Sequence, residues 1–101
     1  MNDYLAAIQN FYDLICKDFN VLKVRVHFDS TLPCKGLYIE IPFPKIYLNP
    51  LWFDDNTVYH ELFHHIRPDL QDGPEFESKL SYFTRFLTKN YYAIKKQGTY
   101  C

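Results

Sequence analysis

Glycine is scarce in this chain, with three in 101 residues, and neither sign of charge is in excess: 11 Lys and Arg stand against 12 Asp and Glu. A formal net charge of −1 argues against a nucleic-acid binder driven by phosphate neutralisation. No apolar run reaches the roughly 18 residues that a membrane helix needs, so no membrane partner is expected. The opening Met1-Asn2-Asp3-Tyr4-Leu5 puts no basic segment ahead of an apolar one, and no secretory signal is expected there. Repeats, low-complexity stretches and linkers are missing too. The expectation is one domain over residues 1–101.

Cysteine is sparse as well. Cys16, Cys34 and Cys101 have no CxxC spacing, which argues against a zinc ribbon and a redox motif. An odd count fits a reducing, cytoplasmic compartment with three unpaired thiols, Cys16 serving as a small apolar helix residue.

Aromatic residues are what the chain has in quantity: 19%, with nine Tyr and nine Phe. That much apolar surface excludes a disordered chain and supports one modest core. Tyr4, Ile8, Phe11, Tyr12, Ile15 and Phe19 recur at helical steps, predicting a helix over 3–19 capped by Asn2 or Asp3 and ended by Asn20. Over 21–28, Leu22, Val24, Val26 and Phe28 alternate with Lys23, Arg25 and His27, the pattern of a strand with His27 on its solvated face. Leu37, Ile39 and Ile41 alternate with Tyr38 and Glu40 in a second strand over 37–41, and a third runs over 45–49. Prolines 42, 44 and 50 around these segments predict a sheet edge.

Asp54, Asp55 and Asn56 can cap a helix over about 55–67, which Arg67-Pro68 ends. Pro74 suits the first turn of a last helix, from about 75 to the mid-90s, with Phe76, Leu80, Phe83, Leu87 and Ile94 on one stripe. The fold class expected is α+β: an N-terminal helix, a small three-stranded sheet and two further helices.

The middle helix carries His60-Glu61-Leu62-Phe63-His64, the pattern H-E-x-x-H. Histidines four apart share one helix face, so both imidazoles can hold one zinc ion, and the intervening glutamate can act as general base on a water activated there. Val58, Tyr59, Leu62, Phe63 and Ile66 form the apolar arc of this helix, and the two histidines point about 150° from its centre, toward a cleft rather than the core. His65 points to the Val58 side and is expected to be a packed residue, not a ligand.

A catalytic zinc takes three protein ligands and leaves one position for water. Glu75 and Glu77 in the first turn of the last helix are the candidates for the third. Periodicity favours Glu77, at the border of the apolar stripe beside Ser81 and Thr84, over Glu75, which shares its side with Lys79. Asp69 and Asp72 are weaker candidates, because a loop holds a ligand less rigidly than a helix. A tail of Thr99, Tyr100 and Cys101 after Gly98 ends in a soft zinc ligand, although a frayed end is the expectation.

Ile46-Tyr47-Leu48-Asn49-Pro50, the capped helix with His60-Glu61-Leu62-Phe63-His64-His65, and Glu77 with Tyr82-Phe83 and Leu87 together resemble the core of a gluzincin-type zinc metallopeptidase. The nearest patterns are those of the minigluzincins and the ImmA/IrrE-type regulatory peptidases. The resemblance covers about residues 45–90, and its specific element is the H-E-x-x-H. It implies a zincin-like fold with a small mixed sheet, an active-site helix and a ligand-bearing C-terminal helix. It also implies zinc on His60, His64 and a helix glutamate, with Glu61 as general base. The chain departs from the pattern in its short segment after His64, and in Lys79 and Ser81, which stand where many gluzincins place a further carboxylate.

The function expected is therefore a zinc-dependent peptidase acting on a peptide or protein substrate. An edge strand, from 37–41 or 46–49, would align that substrate, and Tyr82, Tyr91 or Arg67 would supply the oxyanion donor. The competing expectation is a small regulatory or protein-interaction module with a structural or vestigial zinc site. In such a site the fourth position is closed by protein, and Glu61 has no purpose.

Overall fold

The computed structural model describes the backbone of residues 2–90 and the side chains of residues 4–90. The capping side chains of Asn2 and Asp3, Tyr91, Ile94 and the tail from Gly98 to Cys101 lie outside the described residues. The described chain is a small α+β domain in the order α1 (Asn2–Asp18), β1 (Arg25–Phe28), β2 (Gly36–Ile39), β3 (Lys45–Leu48), α2 (Asp55–Ile66) and α3 (Pro74–Asn90). Among the described residues, no helix is long and apolar enough to cross a membrane.

Helix α1 ends as its sequence predicts. Asn20 takes φ 57°, while Val21 N–H donates to Cys16 O (2.9 Å) and Asn20 N–H to Lys17 O (3.2 Å). These two bonds close the last turn around a left-handed residue, a conformation asparagine tolerates better than most. The helix buries Ile8, Phe11, Tyr12, Ile15 and Cys16 in the same core cluster as Val26, Ile46, Leu62, Phe76 and Leu87. Cys16 and Cys34 are both free thiols, the first buried and the second exposed.

The sheet runs β1-β3-β2, with β3 parallel to β1 and antiparallel to β2. This corrects the expectation that β3 could be an edge strand. Pro44 and Pro50 stand outside its ends, so residues 45–48 keep the N–H groups that two neighbours require. Strand β1 is also shorter than its alternation suggests. Its ladder with β3 starts at Arg25, whose N–H donates to Pro44 O (3.4 Å), so Leu22 precedes the sheet and is 75% exposed.

The two edges of the sheet differ. On β1, the Gln9 amide from α1 donates to Val24 O and accepts from Val26 N–H, each at 2.9 Å, and so occupies the outward peptide groups as a neighbouring strand would. The outer side of β2 pairs with no described strand. Asn49 N–H donates to Lys35 O (2.9 Å), which orients Lys35 toward β3. Antiparallel alternation then turns the peptide groups of Gly36 and Tyr38 outward.

Alternation also sets the faces of β2. The expected apolar set, Leu37 and Ile39, lies away from the helices, and Ile41, past the end of the strand, is 79% exposed. Gly36 and Tyr38 face α2 instead. A Cβ on Gly36 would fall 2.7 Å from Thr57 Cγ2 and 3.0 Å from Glu61 Cγ, so β2 approaches the helix more closely than any side chain at that position permits.

Candidate metal centre

Helix α2 is held at both ends. The Asp54 carboxylate accepts from Thr57 N–H (2.9 Å) and Thr57 Oγ1 accepts from Asp54 N–H (3.4 Å), a reciprocal cap. Lys35, just ahead of β2, pairs with Asp54 at 3.3 Å and ties the strand to the helix start. Arg67 N–H closes the other end on Phe63 O (2.8 Å), and Pro68 follows. Val58, Tyr59, Leu62 and Phe63 are buried as the apolar arc requires, and His60 and His64 are only partly covered.

Both imidazoles are set by aromatic walls. Phe76, fully buried in the first turn of α3, stacks on His64 at 4.3 Å and lies edge-on to His60 at 4.9 Å between ring centroids. Tyr38 of β2 lies parallel to His64 on another side at 6.5 Å. These contacts hold the rings in one orientation.

Asp72, in the loop before α3, meets the two histidines. Its Oδ1 lies 3.1 Å from His64 Nε2 and 3.5 Å from His60 Nε2. One ligand atom from each of the three residues lies within 4.8 Å of the others, and the group can hold a metal ion. Donors about 2.0–2.1 Å from a tetrahedral ion stand about 3.3 Å apart, which both Asp72 distances approach. Glu77, favoured by helix periodicity, has Oε2 4.0 Å from Nδ1 of His60, at the opposite ring nitrogen. Asp69 is taken up by Arg67 in a two-pronged pair at 2.9 and 3.0 Å.

The loop holding Asp72 is short and pinned. Leu70 is buried in the core, Leu70 N–H donates to Arg67 O (3.1 Å), and Pro74 starts α3 immediately after Gly73. Gly73 takes φ +152°, a backbone conformation costly for any other residue, and this turn places Asp72 beside α2.

Glu61 occupies the space under Gly36. It is 8% exposed, and burial, assisted by the negative charge of Asp72, pushes its carboxyl up to about 7. Glu61 lines a cleft of about 280 Å³ with Gly36, Leu37, Tyr38, His60, His64 and Asp72, and a second hollow of about 210 Å³ adjoins it along Gly36, His60 and Glu61. Larger grooves of about 590 and 580 Å³ lie elsewhere, along α3 and beside Leu22 and Phe43. Burial also pulls His64 below its ordinary value, toward the neutral imidazole that a metal ligand must be.

His65 is packed as expected. Its Nε2 faces Leu22 O at 2.6 Å and can only donate there, so in the neutral ring Nδ1 accepts the hydroxyl of Tyr38 at 2.9 Å. The oxyanion candidates fare differently: Tyr82 is 69% exposed under Arg85, and the Arg67 guanidinium is paired with Asp69, so neither lines the cleft. Tyr38 and Gly36 are the wall residues that periodicity did not reveal. The one hint was a glycine at the head of an aliphatic strand.

No family model matches the chain, and neither does any curated protein or solved structure.

Proposed function

We propose that this chain is a zinc-dependent peptide hydrolase of the zincin kind, with His60, His64 and Asp72 as ligands and Glu61 as general base. One observation carries this reading: a buried carboxylate outside the donor set lines the same cleft as the donors. A purely structural site has no use for such a group. The donors, two imidazoles and one carboxylate, suit zinc and leave room for a fourth position.

A zinc ion bound there supplies a Lewis acid that polarises the scissile carbonyl and acidifies the attacking water. The protein does the rest. The Glu61 carboxylate, buried beside the donors, would take the water proton and return it to the leaving amine. Phe76 and Tyr38 keep the imidazoles oriented. The outward peptide groups of Gly36 and Tyr38 offer an extended substrate a strand to pair with, directly above Glu61. Among the described residues, Gly36 O accepts only the weak Cys34 thiol at 3.2 Å, a bond a substrate N–H would displace readily.

The test is Glu61→Gln. The variant is expected to keep its metal and its fold and to lose peptide hydrolysis by about 10²-fold or more. Loss of metal would make Glu61 a ligand. Unchanged hydrolysis, or none in the parent chain across a peptide library, would end the enzymatic reading.

A further inference from the structure

Among the described residues, the helices cover one face of the sheet only. Val26, Ile46 and Leu48 point into the single core cluster, and the residues between them do not. The strand register arranges the other face as a small grid. Arg25, Lys45 and Ile39 form one row across β1, β3 and β2, and His27, Tyr47 and Leu37 form the next. His27 and Tyr47 stack at 5.2 Å between centroids, which joins the second row. Leu37 is 40% exposed and Arg25 and His27 are exposed.

Two features of this grid are costly without a partner. Arg25 and Lys45 stand directly opposite each other, like charges in one register, and neither makes an ion pair among the described residues. Beside them Leu37 and Ile39 leave an aliphatic column on the β2 side. None of the six side chains is acidic.

We infer that this face docks an acidic amphipathic helix of a partner protein. Its apolar stripe would lie on Leu37, Ile39 and Tyr47, and its carboxylates against Arg25 and Lys45. Such a helix would complete a helix–sheet–helix layering that the described chain leaves half built. A nucleic acid would meet the cations and leave the aliphatic column without a counterpart. A second copy packed face to face would bring four cations into one interface with no carboxylate among these six side chains to answer them, which like-charge repulsion disfavours.

The surface meets the His60 cleft only at Leu37 and contains neither a proposed ligand nor Glu61, so this inference stands or falls apart from the hydrolase reading. Isotope-labelled protein is titrated with three probes. The first is a helical peptide with leucines at i, i+3, i+4 and i+7 bordered by glutamates. The second carries lysines in place of those glutamates, and the third is a single-stranded oligothymidine. Saturable binding of the glutamate peptide alone is expected, with amide shifts centred on Arg25, His27, Leu37, Ile39, Lys45 and Tyr47. Arg25→Glu with Lys45→Glu should weaken it about tenfold or more and admit the lysine peptide instead. The variant's fold is checked by circular dichroism and by unchanged metal uptake. Four outcomes would overturn the inference: no binding, equal binding of both peptides, shifts elsewhere, or the oligonucleotide or a second copy occupying this face.

Discussion

Gly36 and Glu61 are packed so closely that a methyl group on the strand would sit 3.0 Å from the Glu61 Cγ and 3.3 Å from Oε2. The absent side chain is thus what lets a buried carboxylate lie beneath an open strand edge. Gly36→Ala is expected to push Glu61 and Thr57 aside and to cost about 1–3 kcal/mol by overpacking. Chemical denaturation reads the loss of stability. Hydrolysis should fall while metal uptake persists, because none of the three donor residues is touched. Unaltered stability would mean that α2 and β2 separate freely at this point.

His65 joins three segments through its two ring nitrogens, the Tyr38 hydroxyl on one side and Leu22 O on the other. His65→Phe removes the ring partner of two partly buried groups and should destabilise by about 0.5–1.5 kcal/mol per bond lost. Tyr38→Phe removes one bond only and should cost less. Unfolding midpoints of the two variants give the comparison, and equal losses would mean that the Leu22 bond contributes little.

Much of this fold could be read from periodicity because each helix carries its own punctuation. Asn20, Asp54, Arg67-Pro68 and Pro74 mark boundaries by backbone chemistry that acts locally. The H-E-x-x-H spacing is equally local, since one turn of helix brings His60 and His64 together wherever that helix packs. Strand order was not legible. Prolines flanking β3 look the same in sequence whether the strand is central or at an edge. Nor was the inward face of β2, where a long-range approach of Gly36 to Glu61 overrides the aliphatic alternation. The Asp72 approach depends on Gly73 and on Leu70 reaching the core, and neither contact leaves a periodic trace.

Tyr12 sets an alkaline limit to stability. Its hydroxyl is buried and donates to Val58 O at 2.8 Å; burial first, and then the nearby Glu61 and Cys16, hold its ionisation well above 10.0. Burial likewise pushes the Cys16 thiol from 9.0 to about 11. Both groups are acids that stay protonated in the folded state and ionise sooner when unfolded. Their stabilisation is therefore complete below pH 9.0 and is lost as pH rises through the window from 9.0 to about 11 and beyond. Urea midpoints should fall over that range. Cys16→Ala should flatten the lower part of the slope and Tyr12→Phe the upper part. A midpoint independent of pH to about 11 would contradict both placements.

The choice between Asp72 and Glu77 decides how a metal ion would be held. Asp72 faces Nε2 of both histidines, at 3.1 and 3.5 Å, whereas Glu77 approaches only His60, at Nδ1 and 4.0 Å. One imidazole cannot present both nitrogens to the same ion, so a carboxylate on the Nε2 side can share a metal, whereas Glu77 on the Nδ1 side, beyond hydrogen-bond reach at 4.0 Å, can at most steady the ring. The cost of losing each differs accordingly. Removing an outer partner lowers metal affinity about 10–100-fold. Removing a ligand from a three-residue site leaves two imidazoles and should cost more. Zinc competition against a chromophoric chelator should therefore rank His64→Ala and Asp72→Ala as the severe losses and Glu77→Ala as the mild one, with the parent chain binding close to one ion. A severe loss in Glu77→Ala with a mild one in Asp72→Ala would reverse the assignment. The loop would then be a lid over a site completed from helix α3.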